Sequence, residues 1–157
     1  MKSVVPERIL KGQAMKLTQI SVFLENRKGR LYEVCSMLGT AGINIRALTI
    51  AETESFGVLR IIVDKPDKAL ELFHANNVTA NRTEVVAVEV EDRPGGLANI
   101  LKSLSERDVN VEYMYGFIEK FTDKALLVFR FDDPEKAGKV LTACGINVVT
   151  SKDIQAL

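Results

Sequence analysis

Glu91-Asp92-Arg93-Pro94-Gly95-Gly96-Leu97 decides how this chain is read, because it has a twin upstream, Glu25-Asn26-Arg27-Lys28-Gly29-Arg30-Leu31. Each stretch follows an alternating apolar run and precedes apolar residues at helical spacing. Each therefore predicts a strand, a glycine-containing turn and a helix N-terminus. That geometry points unpaired backbone N–H groups at whatever small acidic group sits in the turn.

The match extends outward from the turns. Asn26 aligns with Asp92, Gly29 with Gly95, Leu31 with Leu97, Val34 with Ile100, Leu38 with Leu104 and Asn44 with Asn110, each pair 66 positions apart. Asp64-Lys65-Pro66 aligns with Asp132-Asp133-Pro134 at an offset of 68. The two extra residues of the second copy fall near Glu119 to Asp123, where a hairpin loop absorbs them at little cost.

In the first copy, Ile20, Val22 and Leu24 share one face of a strand over 17–24. Leu31, Val34, Cys35 and Leu38 mark a helix that Gly39 and Gly42 end. Residues 43–50 and 58–63 read as strands joined by a polar turn. Pro66 opens a second helix with Ala69, Leu72 and Phe73 inward, Asn76-Asn77 closes it, and 78–82 is a short fourth strand. The second copy repeats the order with strands over 85–90, 110–118, 125–131 and 146–150. Its helices carry Leu97, Ile100, Leu101 and Leu104, then Ala137, Val140, Leu141 and Cys144, and Asp133 suits an N-cap. Strand-helix-strand-strand-helix-strand is the ferredoxin-like α+β unit, here twice. Each copy is marginal alone, so two docked copies forming a pseudo-dimer are expected. The domain reading is a leader or arm over 1–15, a first domain over 16–83 and a second over 84–157.

Composition narrows the function classes. Lys+Arg and Asp+Glu number 21 each and Trp is absent, so neither the basic excess nor the stacking surface of a nucleic-acid binder is supplied. His74 is the only histidine, which excludes histidine clusters for zinc. No apolar run reaches the length of a membrane span, and residues 1–14 lack the apolar stretch of a secretory signal, so a cytoplasmic location is expected. The two cysteines, Cys35 and Cys144, read as buried free thiols. No nucleophile-base pair and no cofactor motif stand out, so no catalytic residue, metal or cofactor is assigned.

The segments FLENRKGRLYEV with GINIRALTI, and VEVEDRPGGLANIL with VNVEYM, resemble ACT domains, a ferredoxin-like family that typically senses amino acids for metabolic enzymes. The family's hallmark is a strand ending in an acidic or amide residue, then Pro-Gly-x-Leu, a helix and a G-x-N-I-like strand. Pro94-Gly95-Gly96-Leu97 carries the motif intact, whereas Lys28 replaces its proline in the first copy. The resemblance implies that backbone N–H groups around Gly29-Arg30-Leu31 and Gly95-Gly96-Leu97 hold the carboxylate of a free amino acid. It also implies that Asn26 and Asp92 accept from its ammonium, Asp92 with a charge-assisted bond. Asn44 and Ile45, and Asn110 and Val111, would form the opposite wall, contributed by a neighbouring copy. From the residues alone, the recurrence of glycine and Asn/Asp is explained equally well by fold maintenance.

The leading functional expectation is a stand-alone tandem ACT protein that binds a free amino acid and modulates a metabolic enzyme in trans. A homodimer through exposed sheet edges is expected with it. One alternative is a structural oligomerisation module without ligand. The other is the regulatory small subunit of an acetolactate-synthase-like enzyme, which the first copy also resembles, although here the motif returns at Asp92.

Overall fold

The computed structural model describes residues 16–120 and 122–156. The expected leader over 1–15 lies outside the described residues. The chain forms two compact units, one over Thr18–Thr83 and the other from Glu84 onward together with Lys16 and Leu17.

The first unit contains β1 (Leu17–Glu25), α1 (Arg30–Thr40), β2 (Ile45–Glu52), β3 (Phe56–Val63), α2 (Pro66–Ala75) and the start of β4 (Ala80–Val90). Its strands lie in the order β2-β3-β1-β4, with β3 antiparallel to both β1 and β2. Alternation decides the faces. Ile20, Val22 and Leu24 of β1 and Leu59, Ile61 and Val63 of β3 bury one face against Val34 and Leu38 of α1 and Ala69, Leu70 and Phe73 of α2.

The second unit takes the rest of β4 and adds α3 (Gly96–Ser105), β5 (Val111–Gly116), β6 (Ala125–Phe131), α4 (Pro134–Ala143), β7 (Val148–Val149) and α5 (Ser151–Gln155). β4 pairs with β6 on one side and β7 on the other, and β5 lies beyond β6. The strand order therefore repeats that of the first unit. Val86, Val88, Phe129 and Phe131 meet Ile100, Leu104, Ala137 and Leu141 in its core.

The helix ends show how closely the repeats agree. Each of the four long helices closes with the same pair of backbone bonds, illustrated by Ile43 N to Leu38 O and Gly42 N to Gly39 O, which satisfies two orphan carbonyls. The motif needs a left-handed residue just past the helix. Gly42 and Gly145 supply it at φ 72° and 71°, and Asn77 and Asp108 at 56° and 53°. Each repeat thus closes one helix with glycine and the other with Asn or Asp, the two non-glycine types that tolerate this conformation best.

Three expectations require correction. Residues 78–82 and 85–90 were expected as separate strands, but β4 is a single strand, because nothing between Ala80 and Val90 breaks an extended backbone. The last strand shrinks to Val148–Val149 and is followed by a helix that hydrophobic periodicity does not reveal. Thr150 and Asp153 start that helix with a reciprocal capping box. Cys144 is exposed rather than buried, since it is the C-cap residue of α4, while Cys35 is half-buried. Asp133 does cap α4, accepting from Lys136 N at 3.0 Å, and Lys65 makes no equivalent bond.

Candidate functional site

The two glycine turns close alike. Gly29 and Gly95 have φ 84° and 82°, a left-handed conformation that disfavours any other residue, and open space surrounds both. Arg27 N donates to Glu25 O and Arg93 N to Glu91 O, each at 2.9 Å. Glu33 N donates to Gly29 O and Asn99 N to Gly95 O, each at 3.0 Å. Neither helix receives a side-chain cap. The amides of Leu31 and Tyr32, and of Leu97 and Ala98, have no hydrogen-bond partner among the described residues, so each turn presents donors at a helix N-terminus.

The second turn is more constrained than the first. A Cβ on Gly96 would lie 2.1 Å from Glu91 O, a backbone clash that only glycine avoids. The matching residue in the first turn is Arg30, whose turn bond to Arg27 O is 3.3 Å against 3.0 Å for Gly96 N to Arg93 O. Pro94 is exposed and pre-sets the turn. Leu97 packs on the second core, whereas Leu31 is 41% exposed.

Asn26 and Asp92 tie each turn to the neighbouring hairpin. Asn26 Nδ2 donates to the carbonyls of Thr53 and Glu54 at 3.4 and 3.3 Å, and its backbone N–H donates to Ser55 O at 2.9 Å. Asp92 accepts from the Lys120 ammonium. A lysine therefore stands where the sequence places the ligand's ammonium. Asn44 and Asn110 each hold the start of a strand by a reciprocal pair of bonds, Asn44 N to Asp64 Oδ1 with Asp64 N to Asn44 O, and Asn110 N to Asp132 Oδ1 with Asp132 N to Asn110 O. Ile45 and Val111 pack against their cores.

Within a repeat, turn and wall are not brought together. Glu25 faces Phe56, whereas Ile45 faces Val63, seven residues further along β3. That is roughly 23 Å at the rise of a strand. Asn44 and Ile45 thus lie at the opposite end of their sheet from Asn26 and Gly29, and the second repeat has the same arrangement.

Charges cluster at both turns. In the first, Arg27 bonds Glu25 and Glu33, and Arg30 bonds Glu33. The Arg27 and Arg30 hydrogen bonds hold the Glu33 carboxyl below its usual range, and Glu33 and then Glu25 raise the Arg27 guanidinium above its own. In the second, the hydrogen bond from Arg93 holds the Glu91 carboxyl below the usual range, with help from the Lys124 charge. Beside this pair opens a cleft of about 280 Å³, lined among others by Glu89, Glu91, Arg93, Asn99, Lys124 and Asn147. Asn99 and Lys124 were not singled out from sequence. The signal was present in the repeat itself, where Arg30 and Glu33 of the first copy become Gly96 and Asn99 in the second.

A family model described as an ACT domain pair matches residues 15–157. The chain belongs to this family. Among solved structures, the ACT pair is similar to protein BT0572 from Bacteroides thetaiotaomicron, at 39% identity over 92% of this chain and 99% of that one, with a TM-score of 0.87. It also shares its fold with the ligand-free regulatory subunit of aspartate kinase from Thermus thermophilus, at 18% identity, covering 85% and 93% of the two chains, TM-score 0.61. The regulatory subunit of aspartate kinase from Thermus flavus matches at 14% identity over 82% and 92%, TM-score 0.53. No curated protein matches the chain. No helix among the described residues is long and apolar enough to cross a membrane.

Proposed function

We propose that this ACT pair binds a free amino acid and uses it to modulate a metabolic enzyme in trans, without catalysing a reaction itself, and that it works in the cytoplasm as a homodimer. The observation that carries the reading is the duplicated turn. Gly29 and Gly95 hold the same left-handed conformation, and both following helices begin with amides that have no partner among the described residues. A carboxylate is the natural partner for such a terminus. A zwitterion arriving at the second turn would compete with Lys120 for Asp92, which makes the ammonium contact an exchange rather than a gain. That the Thermus thermophilus neighbour is the regulatory subunit of a kinase supports action on a separate chain.

Regulation requires that the ligand prefer one state of the protein, since an amino acid binding both equally would shift nothing. A screen of melting temperature with each of the twenty amino acids tests the binding step. Ligand at a hundredfold excess over its Kd adds about 2.7 kcal/mol, or roughly 5–10 °C for a chain of this size. One or a few amino acids should raise the melting temperature by that amount and lose the effect in Gly95→Val. A flat response across all twenty would overturn the sensor in favour of a purely structural module.

A further inference from the structure

The two repeats, compared side chain by side chain, assign a ligand-binding role to the cleft of the second. In the first repeat each of the three Arg27 guanidinium nitrogens donates a hydrogen bond to a carboxylate. Its Nε donates to Glu25 at 3.0 Å, and its Nη1 and Nη2 donate to the two Glu33 oxygens at 3.2 and 3.1 Å. Arg30 adds a third bond to the same carboxylate at 3.0 Å. A carboxylate therefore sits in the Arg27 fork, in the bidentate geometry that arginine favours.

Arg93 repeats half of this arrangement. Its Nε donates to Glu91, as that of Arg27 does to Glu25. Residue 99 is asparagine where the first repeat has Glu33, and residue 96 is glycine where it has Arg30. Among the described residues, the Nη groups of Arg93 have no partner. The cleft of about 280 Å³ opens at this position. Glu33 thus displays, within the same chain, the group that the Arg93 fork lacks.

We propose that this cleft binds the carboxylate of a small ligand on Arg93, with Lys124 as a second cation. The proposal rests on the amino-acid reading above and gives it a site contained within one repeat. Glu89 and Glu91, in place of Asp92, supply acceptors for an ammonium on the same molecule, so the chemistry of the lining is that of a zwitterion. Gly96 lines the cleft as well, and the close approach of Glu91 O leaves no room for a Cβ there. The first repeat satisfies its own arginine, so the site occurs once per chain.

The test is titration calorimetry of the full chain against the twenty L-amino acids and against acetate and succinate, using wild type, Arg93→Gln, Asn99→Glu and Glu33→Gln. Asn99→Glu supplies an internal carboxylate to the fork and lies on an exposed helix position, so the fold survives it, as circular dichroism would verify. The expected result is an amino acid whose affinity falls roughly 10- to 100-fold in Arg93→Gln and in Asn99→Glu, the loss of a charged hydrogen-bond pair. Glu33→Gln should leave that affinity unchanged. An amino acid that binds both cleft variants as well as wild type would overturn the cleft and leave the sensor reading standing. Arg93-dependent binding of acetate or succinate with no amino acid bound would support the cleft and overturn the amino-acid reading. Silence from every probe would overturn the cleft.

Discussion

Gly95 and Gly96 are adjacent and both glycine, yet the structure demands glycine at each for a different reason, and the two costs separate by measurement. At Gly95 a Cβ meets nothing within 4 Å, so Gly95→Ala feels only the left-handed backbone at φ 82°. That conformation costs a non-glycine residue about 1–2 kcal/mol, from which the lost flexibility of the unfolded chain returns roughly 0.4–1 kcal/mol. The net loss is about 1 kcal/mol. At Gly96 the Cβ would stand 2.1 Å from Glu91 O, so the junction between β4 and α3 must open by roughly 1 Å to restore an ordinary contact. Three backbone bonds oppose that opening, Arg93 N to Glu91 O, Gly96 N to Arg93 O and Asn99 N to Gly95 O. Losing one costs about 1 kcal/mol, and backbone displacement against a packed core adds roughly 1–3 kcal/mol. Gly96→Ala should therefore cost about 2–4 kcal/mol. Urea unfolding followed by far-UV circular dichroism reads both variants as shifts of midpoint at constant slope. A Gly96→Ala midpoint equal to or above that of Gly95→Ala would refute the reasoning, and would mean that the second turn relaxes as freely as the first, where Arg30 is accommodated.

Other consequences are smaller. Gly39 lies inside α1 with open space at its Cβ, so Gly39→Ala should stabilise by about 0.5–1 kcal/mol in the same urea assay. Asn77→Gly and Asp108→Gly should each stabilise by up to about 1 kcal/mol, because both positions are left-handed and close a helix. Hydrogen bonds from Thr150 hold the Asp153 carboxyl below its ordinary pKa of 3.8, so its contribution is present above that pH and is lost as pH falls through the lowered value. Amide protection at Asp153 and Ile154, corrected for the intrinsic pH dependence of exchange, should fall only in that acid window. Cys144 is exposed, whereas burial raises the Cys35 thiol above its ordinary 9.0, so an aromatic disulfide reagent should label one thiol quickly and the other slowly. Cys144→Ser should abolish the fast phase.

The architecture was legible because it is written twice. Gly29 and Gly95, Leu38 and Leu104, and Asp64 and Asp132 sit at constant offsets, and a pattern that recurs constrains both copies at once. What the repeat does not encode is local. The α5 helix is too short to show periodicity, although Thr150-x-x-Asp153 is a readable cap. The repeat pattern predicts a strand break near residue 83, whereas the backbone breaks only at residues that disfavour extension, and none stands there. At the site, the turn glycines were readable from sequence because conformation restricts residue type. The ties of Asn26 to the β2–β3 loop and of Asp92 to Lys120 were not, since they depend on where a hairpin tip folds back. The cleft was hidden for the opposite reason. It arises where the repeats differ, at residues 96 and 99, and alignment of the repeats draws the eye to where they agree.

Titration calorimetry of the full chain against each of the twenty amino acids, with circular dichroism to follow the fold of every variant, tests the central claim most directly. The account predicts saturable heat for one or a few of them, weakened at least tenfold in Gly95→Val with the fold intact, a loss of about 1.4 kcal/mol or more. Saturable binding that Gly95→Val leaves unchanged, or no heat from any of the twenty, would contradict it.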